Sequence, residues 1–231
     1  MQWISLENGN MLPLADWVRA HSVLISGVVK ALSMAAGAGA VWHYFVKETP
    51  VIAMPKGRKK DIGNLFILGG CAALAVNILF SLIGFTGSSA TYEQVAEKQF
   101  ALPLWAGIIL YGIVSPIAEE IVFRGIVYNR MHRQYGKWIA IIGSALLFGL
   151  YHGNIVQALY GFILGLLIAV LYEKYASFAV PVIIHSAANV FVYVVTSVPV
   201  LQKTCMNYVA FLGSMVLFMV LLAGCLSKKG D

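Results

Sequence analysis

The chain has 231 residues, of which 60% are hydrophobic and only 11% charged, with a mean hydropathy of +0.81. A soluble domain carries about 25% charged residues, so the composition excludes an ordinary water-soluble fold and predicts a helix bundle facing lipid. The formal net charge of +6 comes from Lys and Arg at the ends of apolar runs rather than from a basic stripe with interleaved aromatics, which excludes nucleic acid as a partner.

The N-terminal stretch MQWISLENGNMLPLADW has no basic segment leading into an apolar one, so no cleaved signal peptide is expected. Crossing a bilayer takes ~20 apolar residues in a helix. On that measure the chain reads as all-α, with about seven spanning segments. The first covers Ser22–Val46 and contains Lys30 and the small residues Ala35 to Ala40, which suit close helix packing. Lys30 is expected to snorkel or to meet a polar partner. The second covers Ile62–Phe85, and the third Leu102–Tyr128, extending toward Arg133. The fourth, Ile139–His152, is short for a full crossing even if it starts near Lys137. Val156–Tyr172, Phe178–Val198 and Met206–Leu226 complete the set. Gly161 and Gly165 in the fifth segment suit helix packing. Trp42, Trp105 and Trp138 suit the aromatic belts at the membrane surfaces. Cys71, Cys205 and Cys225 have neither paired nor metal-like spacing and read as small hydrophobes.

Basic residues cluster at Lys56, Arg58, Lys59 and Lys60, at Arg130, Arg133 and Lys137, and at Lys228 and Lys229. One alternating path puts all three clusters in the cytoplasm, with the N-terminus and the Thr86–Phe100 loop outside. Residues 1–231 form a single membrane domain. No repeat, low-complexity segment or separate soluble domain interrupts it.

Of the ten carboxylates, eight fall in loops, at termini or at helix ends. Glu119 and Glu120 alone lie inside an apolar body, LPLWAGIILYGIVSPIAEEIVFRGIVY. An acid at the centre of a spanning helix costs at least ~2.5 kcal/mol, and such residues are functional candidates by default. Glu120 and Arg124 are one turn apart with the acid N-terminal, the favourable order for an i,i+4 pair. Glu119 is rotated ~100° from Glu120 and is left to face a cavity. Pro116 removes an N–H one turn upstream, which loosens the helix next to the carboxylates.

Two of the five histidines, His152 and His185, also lie within apolar runs. Phe148 precedes His152 by four residues, and Asn189 follows His185 by four, so each pair shares a helix face. His21, His43 and His132 sit near helix ends and read as interfacial. A carboxylate and an imidazole can orient a water and take its proton. Imidazole and amide N–H groups can stabilise an oxyanion. Together these are the requirements of amide hydrolysis.

Glu119-Glu120-Ile121-Val122-Phe123-Arg124 resembles an E-E-x-x-x-R motif, Phe148 to His152 an F-x-x-x-H motif, and His185 to Asn189 an H-x-x-x-N motif. In this order and spacing they resemble the CAAX protease and bacteriocin-processing (CPBP) family, which includes the type II CAAX prenyl endopeptidases. The resemblance covers about 102–198. It implies an intramembrane endopeptidase in which Glu119 and His152 activate water and His185 and Asn189 form the oxyanion hole. Glu120, Arg124 and Phe148 would support the site. The small size and the absence of eukaryotic signals place this multi-pass chain in a bacterial plasma membrane, and the expected substrate is a peptide or membrane protein, bacteriocin-like or CAAX-like.

Family members have been called metalloproteases, and Glu119, His152 and His185 could ligate a zinc with an open position. Arg124 disfavours a nearby cation and Asn189 suits an oxyanion, so a site with no tightly held metal or other cofactor is the expectation. Two readings from other classes stand beside this one. One is a non-catalytic immunity or binding protein. The other is an ion-coupled transporter with Glu119 as carrier, although the polar residues cluster in one half and no repeat is visible. The motif residues should converge on one polar cavity open to the cytoplasm. Simple counting places Glu119 and His185 ~10–14 Å from the cytoplasmic side and His152 nearer the outer side, which is at odds with that convergence.

Overall fold

The computed structural model describes residues 11–49, 51–54 and 56–227. Lys228, Lys229 and Asp231, the side chain of Lys56, and the first ten residues of the stretch read for a signal peptide lie outside the described residues.

Among the described residues ten helices follow in order. Helix α1 (Met11–Ala20) leads into α2 (Ser22–Glu48). A 3-10 turn, Lys56–Asp61, precedes α3 (Ile62–Leu82). Helix α4 (Ala90–Phe100) is followed by the 32-residue α5 (Leu104–Tyr135). Helices α6 (Lys137–Leu150) and α7 (Ile155–Tyr175) form a hairpin. Then come α8 (Ala179–Ser197), the short α9 (Pro199–Cys205) and α10 (Tyr208–Ser227). No strand occurs among the described residues.

Among the described residues, six helices, α2, α3, α5, α7, α8 and α10, are long and apolar enough to cross a membrane. The chain is therefore an integral, multi-pass membrane protein. Each of the seven predicted spans corresponds to a helix, but the fourth does not cross. Helix α6 has 14 residues, ~21 Å of rise, against a hydrocarbon core of ~30 Å. It stops at Leu150, and the chain turns back through residues 151–154. Gly153 takes φ +73 there, a left-handed conformation that disfavours side chains. Asn154 caps α7 by accepting the Gln157 N–H at 2.9 Å. His152 lies in this turn, part-way along the bundle. The shortness of α6 removes the depth conflict that the sequence left.

One end of the bundle is tied together by polar contacts. Arg130 and Arg133 pair with Glu48, His132 with Glu173 at 3.2 Å, and Tyr175 bonds Asp61. The N–H groups of Phe178 and Ala179 donate to the carbonyls of Val51 and Ile52. This is the end that carries the basic loops. The opposite end carries α4 and the α6–α7 turn. Tyr193 of α8 donates to the Leu102 carbonyl there at 3.0 Å. Cys71 and Cys225 are buried and unpaired.

Helix α8 runs through the middle of the bundle, packed closely on α3. A Cβ at Gly69 would lie 2.4 Å from the Ile184 carbonyl oxygen, so only glycine permits this approach. The Gly69→Val variant should separate α3 from α8 at an overpacking cost of about 1–3 kcal/mol. The expected readout is a lower thermal midpoint in detergent. An unchanged midpoint would show that the two helices do not touch at this level.

Candidate active site

The site begins with a defect in α5. Its turns widen over Leu110–Val114 and again over Ile121–Tyr128. Wide turns of this kind cluster at functional sites. Ser115 donates its N–H to the Leu110 carbonyl, five residues back. The next residue, Pro116, has no N–H to give. The Tyr111 carbonyl is thereby left for another donor, and Asn189 Nδ2 of α8 supplies it at 2.8 Å. The local effect expected of Pro116 thus takes the form of an acceptor that orients Asn189. An amide nitrogen carries two protons, so one remains for a ligand.

The two adjacent glutamates diverge as the helical rotation requires. Glu120 is fully buried, and its Oε1 accepts from Arg124 Nη1 at 2.9 Å and from His185 Nδ1 at 2.7 Å. Arg124 also donates to the Gly165 carbonyl at 3.0 Å, and its guanidinium lies 4.8 Å from the centroid of the Phe148 ring. Glu119 turns the other way, into a cavity. Its Oε1 accepts from Ser115 Oγ at 2.6 Å, and its Oε2 lies 3.7 Å from His185 Nε2.

Helix α6 delivers Phe148 and His152. The Phe148 ring meets His152 and His185 edge-on, at 5.1 and 5.3 Å between centroids. His152 Nδ1 is 2.9 Å from the Phe148 carbonyl. A carbonyl only accepts, so Nδ1 carries the proton and Nε2 of the neutral ring keeps its lone pair. Gly161 and Gly165 let α7 lie against α6: Cβ atoms there would meet Gly149 at 3.3 Å and Ala145 at 3.1 Å.

Glu119, His152, His185 and Asn189 all line one cavity of about 390 Å³. Glu120 and Arg124 sit behind it, and Phe148 contributes to its wall. The cavity continues past Tyr111 to α4, where Tyr92, Val95, Ala96 and Gln99 form its outer wall. None of the residues of the basic end lines it. The wide turn, Asn189 and the α6–α7 turn lie on the α4 side of the carboxylates, away from the basic end.

Glu119, His152 and His185 line one cavity but do not stand at the spacing of a metal site. Among the described residues, no three of His, Cys, Asp or Glu form a group able to hold a metal ion. His185 commits Nδ1 to Glu120 while its Nε2 stands 3.7 Å from Glu119.

Several lining residues were not anticipated. Ser115 was legible, since it precedes Glu119 by one turn on the same face. Tyr111, Tyr151 and Gln157 carry no signal beyond being polar or aromatic near the motifs. Lys30, the cation of the first spanning segment, also lines the cavity, and no spacing along the chain signals that.

Residues 101–191 match the family model described as type II CAAX prenyl endopeptidase Rce1-like, the segment that bears all three motifs. The chain is 27% identical to Putative membrane peptidase YdiL of Bacillus subtilis (strain 168), over 67% of this chain and 66% of that protein. It is 29% identical to UPF0177 protein YbdI of Lactococcus lactis subsp. lactis (strain IL1403), over 44% of this chain and 57% of that one. An uncharacterized 24.3 kDa protein of Escherichia coli is 26% identical over 64% of this chain and 70% of its own length. The chain thus matches just under two thirds of YdiL and less of YbdI. No solved structure matches the chain.

Loss of one partner of a buried ion pair costs about 3–5 kcal/mol because the other charge is stranded. Arg124→Met should therefore lower the thermal midpoint markedly. Lys59→Met, at an exposed position, should leave it nearly unchanged. Equal midpoints for the two variants would show that the Glu120–Arg124 pair does not hold the bundle.

Proposed function

We propose that the chain is an intramembrane endopeptidase of a bacterial membrane that hydrolyses a peptide bond with a water activated by Glu119. The observation that carries this reading is the convergence of Glu119, His152, His185 and Asn189 on one cavity inside a bundle of spanning helices. The match of residues 101–191 to the Rce1-like family supports it.

The chemistry follows from the hydrogen bonds. Ser115 holds Oε1 of Glu119, leaving Oε2 to take a proton from water. The water oxygen bonds to the substrate carbonyl carbon, and the carbonyl π electrons move onto oxygen. Asn189, steadied by the Tyr111 carbonyl, donates its second N–H to that oxyanion. His185 donates from Nε2 while Nδ1–H is held by Glu120, so in this role the ring carries both protons. The C–N bond then breaks, and the proton held by Glu119 passes to the leaving amine. Nε2 of His152 accepts from the attacking water and keeps it facing the carbonyl. Glu120 and Arg124 do not touch substrate; they position His185. The substrate is a peptide or a membrane-protein segment able to enter an aromatic-walled cavity, of the bacteriocin-like or CAAX-like kind.

The full chain in detergent, assayed on quenched fluorescent apolar peptides, tests the roles. Glu119→Gln should keep the wild-type thermal midpoint and lose at least about 100-fold in kcat, the scale of a general base. Glu120→Ala should lose stability as well as activity. Cleavage by Glu119→Gln at the wild-type rate would overturn the assignment. Because Arg124 sets a positive charge beside the carboxylates and the Asn189 amide suits an oxyanion better than a metal, exhaustive chelation should leave activity intact, and elemental analysis should find no stoichiometric zinc. Zinc whose removal abolishes cleavage, and whose return restores it, would make Glu119, His152 and His185 ligands instead.

A further inference from the structure

The first turn of α7 holds an amide pair that the proposed reaction does not use. Asn154 is buried at the cap, and Gln157 lines the cavity. A chain of donors and acceptors fixes how both amides are turned. The backbone N–H of Gln157 only donates, so the Asn154 atom 2.9 Å from it is Oδ1. The other Asn154 atom is then Nδ2, which only donates. It lies 2.6 Å from the Gln157 side chain, so the atom it meets there is Oε1. Nδ2 also reaches the His152 carbonyl at 3.4 Å, which ties the pair to the turn that carries His152. Gln157 Nε2 is left over. Among the described residues nothing accepts from it, and its side chain is on the cavity wall. A side chain three residues into a helix that reaches back to the cap is a capping box. That role needs only an oxygen, and a glutamate would fill it with added help from the helix dipole. The amide therefore brings a donor that the cap does not need, held in one orientation.

We propose that Gln157 binds substrate by donating Nε2–H to a main-chain carbonyl of the peptide, with Asn154 as the residue that positions it. The inference rests on the peptidase reading and adds a substrate contact to it. A neutral amide N–H matches a peptide carbonyl, the acceptor that every peptide carries. The distance from the reaction follows from α7. Gln157, Tyr160, Gly161 and Leu164 line the cavity at helical spacing. The His152 ring lies beside Gly161, where a Cβ would be 3.5 Å from its Nδ1. Gln157 is one turn nearer α4, ~6 Å along the axis. An extended peptide advances ~3.3 Å per residue, so the carbonyl is about two residues from the bond that is cut.

The test uses the full chain in detergent and a fluorogenic apolar peptide. Each carbonyl oxygen within about three residues of the cut bond is replaced in turn by sulfur, a weaker acceptor. Wild type should lose about three- to tenfold in kcat/KM at one position outside the cut bond, through KM, the scale of one neutral hydrogen bond. Gln157→Glu keeps the oxygen that Asn154 needs and loses the donor. It should keep the thermal midpoint, lose as much on the parent peptide, and be indifferent to sulfur at that position. Gln157→Met, which adds no charge, should show the same indifference. Asn154→Asp keeps the cap acceptor but draws Nε2 to the new carboxylate, turning the Gln157 oxygen to the cavity. It too should lose the sensitivity. If wild type cleaves the whole series equally, or if the variants keep the sensitivity of wild type, Gln157 serves only the cap and the inference falls. The peptidase reading stands in both cases. Peptide binding to Glu119→Gln, read by fluorescence anisotropy, separates the two claims. Binding that weakens with the sulfur swap and with Gln157→Met, without cleavage by wild type, would sink the peptidase and keep the contact. Neither binding nor cleavage would overturn both.

Discussion

Oε1 of Glu120 accepts two hydrogen bonds, from Arg124 within its own helix and from His185 of α8. Around this single buried oxygen the helices of the site are assembled. Arg124 extends the link to the Gly165 carbonyl on α7 and stacks on Phe148 of α6. Phe148 in turn fixes the ring edges of His152 and His185. Four helices are thus indexed to one carboxylate. In a bilayer the hydrophobic effect does not drive helix against helix, so packing and polar contacts must set the register. The glycine-mediated approach of α3 to α8 supplies the packing, and the Glu120 cluster supplies the polar part.

The second constraint is a backbone one. Pro116 cannot donate, and α5 accommodates it by widening the preceding turns. In lipid, a freed carbonyl must find a partner within the protein. Asn189 is that partner for Tyr111, so one proline both relaxes the helix and aims the amide on the facing helix. The same stretch brings Ser115 onto the face of Glu119. A helix defect in isolation would be destabilising. Here its unsatisfied atom is used to orient a group in the cavity.

Much of this was legible from the order of residues. The apolar runs located seven helices to within a few residues, and helical rotation alone separated Glu119 from the Glu120–Arg124 pair. Three features were not. The fourth segment looked like a marginal span because hydropathy does not report where a hairpin turns; Gly153 and Asn154 decide that. The loop Thr86–Phe100 contains α4, whose Tyr92, Val95, Ala96 and Gln99 share one face. Its apolar face is interrupted by glutamates and so falls below any spanning signal. Which residues beyond the motifs wall the cavity is a tertiary property that spacing along one helix does not carry.

On the proposed reading, the arrangement also accounts for two adjacent glutamates where one would suffice for chemistry. Two carboxylates in a low-dielectric interior repel each other and carry a desolvation cost of several kcal/mol apiece. Rotation by ~100° per residue sends them to different environments: one to a dry cluster with a guanidinium and an imidazole, the other to a cavity wall. The buried acid compensates the charge of Arg124 and keeps His185 turned so that its Nε2 faces Glu119. The cavity-facing acid remains accessible to water. A single glutamate could not both hold His185 in place through a charge-assisted hydrogen bond and stay free to exchange protons. Division of the two tasks between neighbours on one turn requires the least additional polar surface inside the membrane, and it explains why Glu120 has no exposure at all while Glu119 retains 9%.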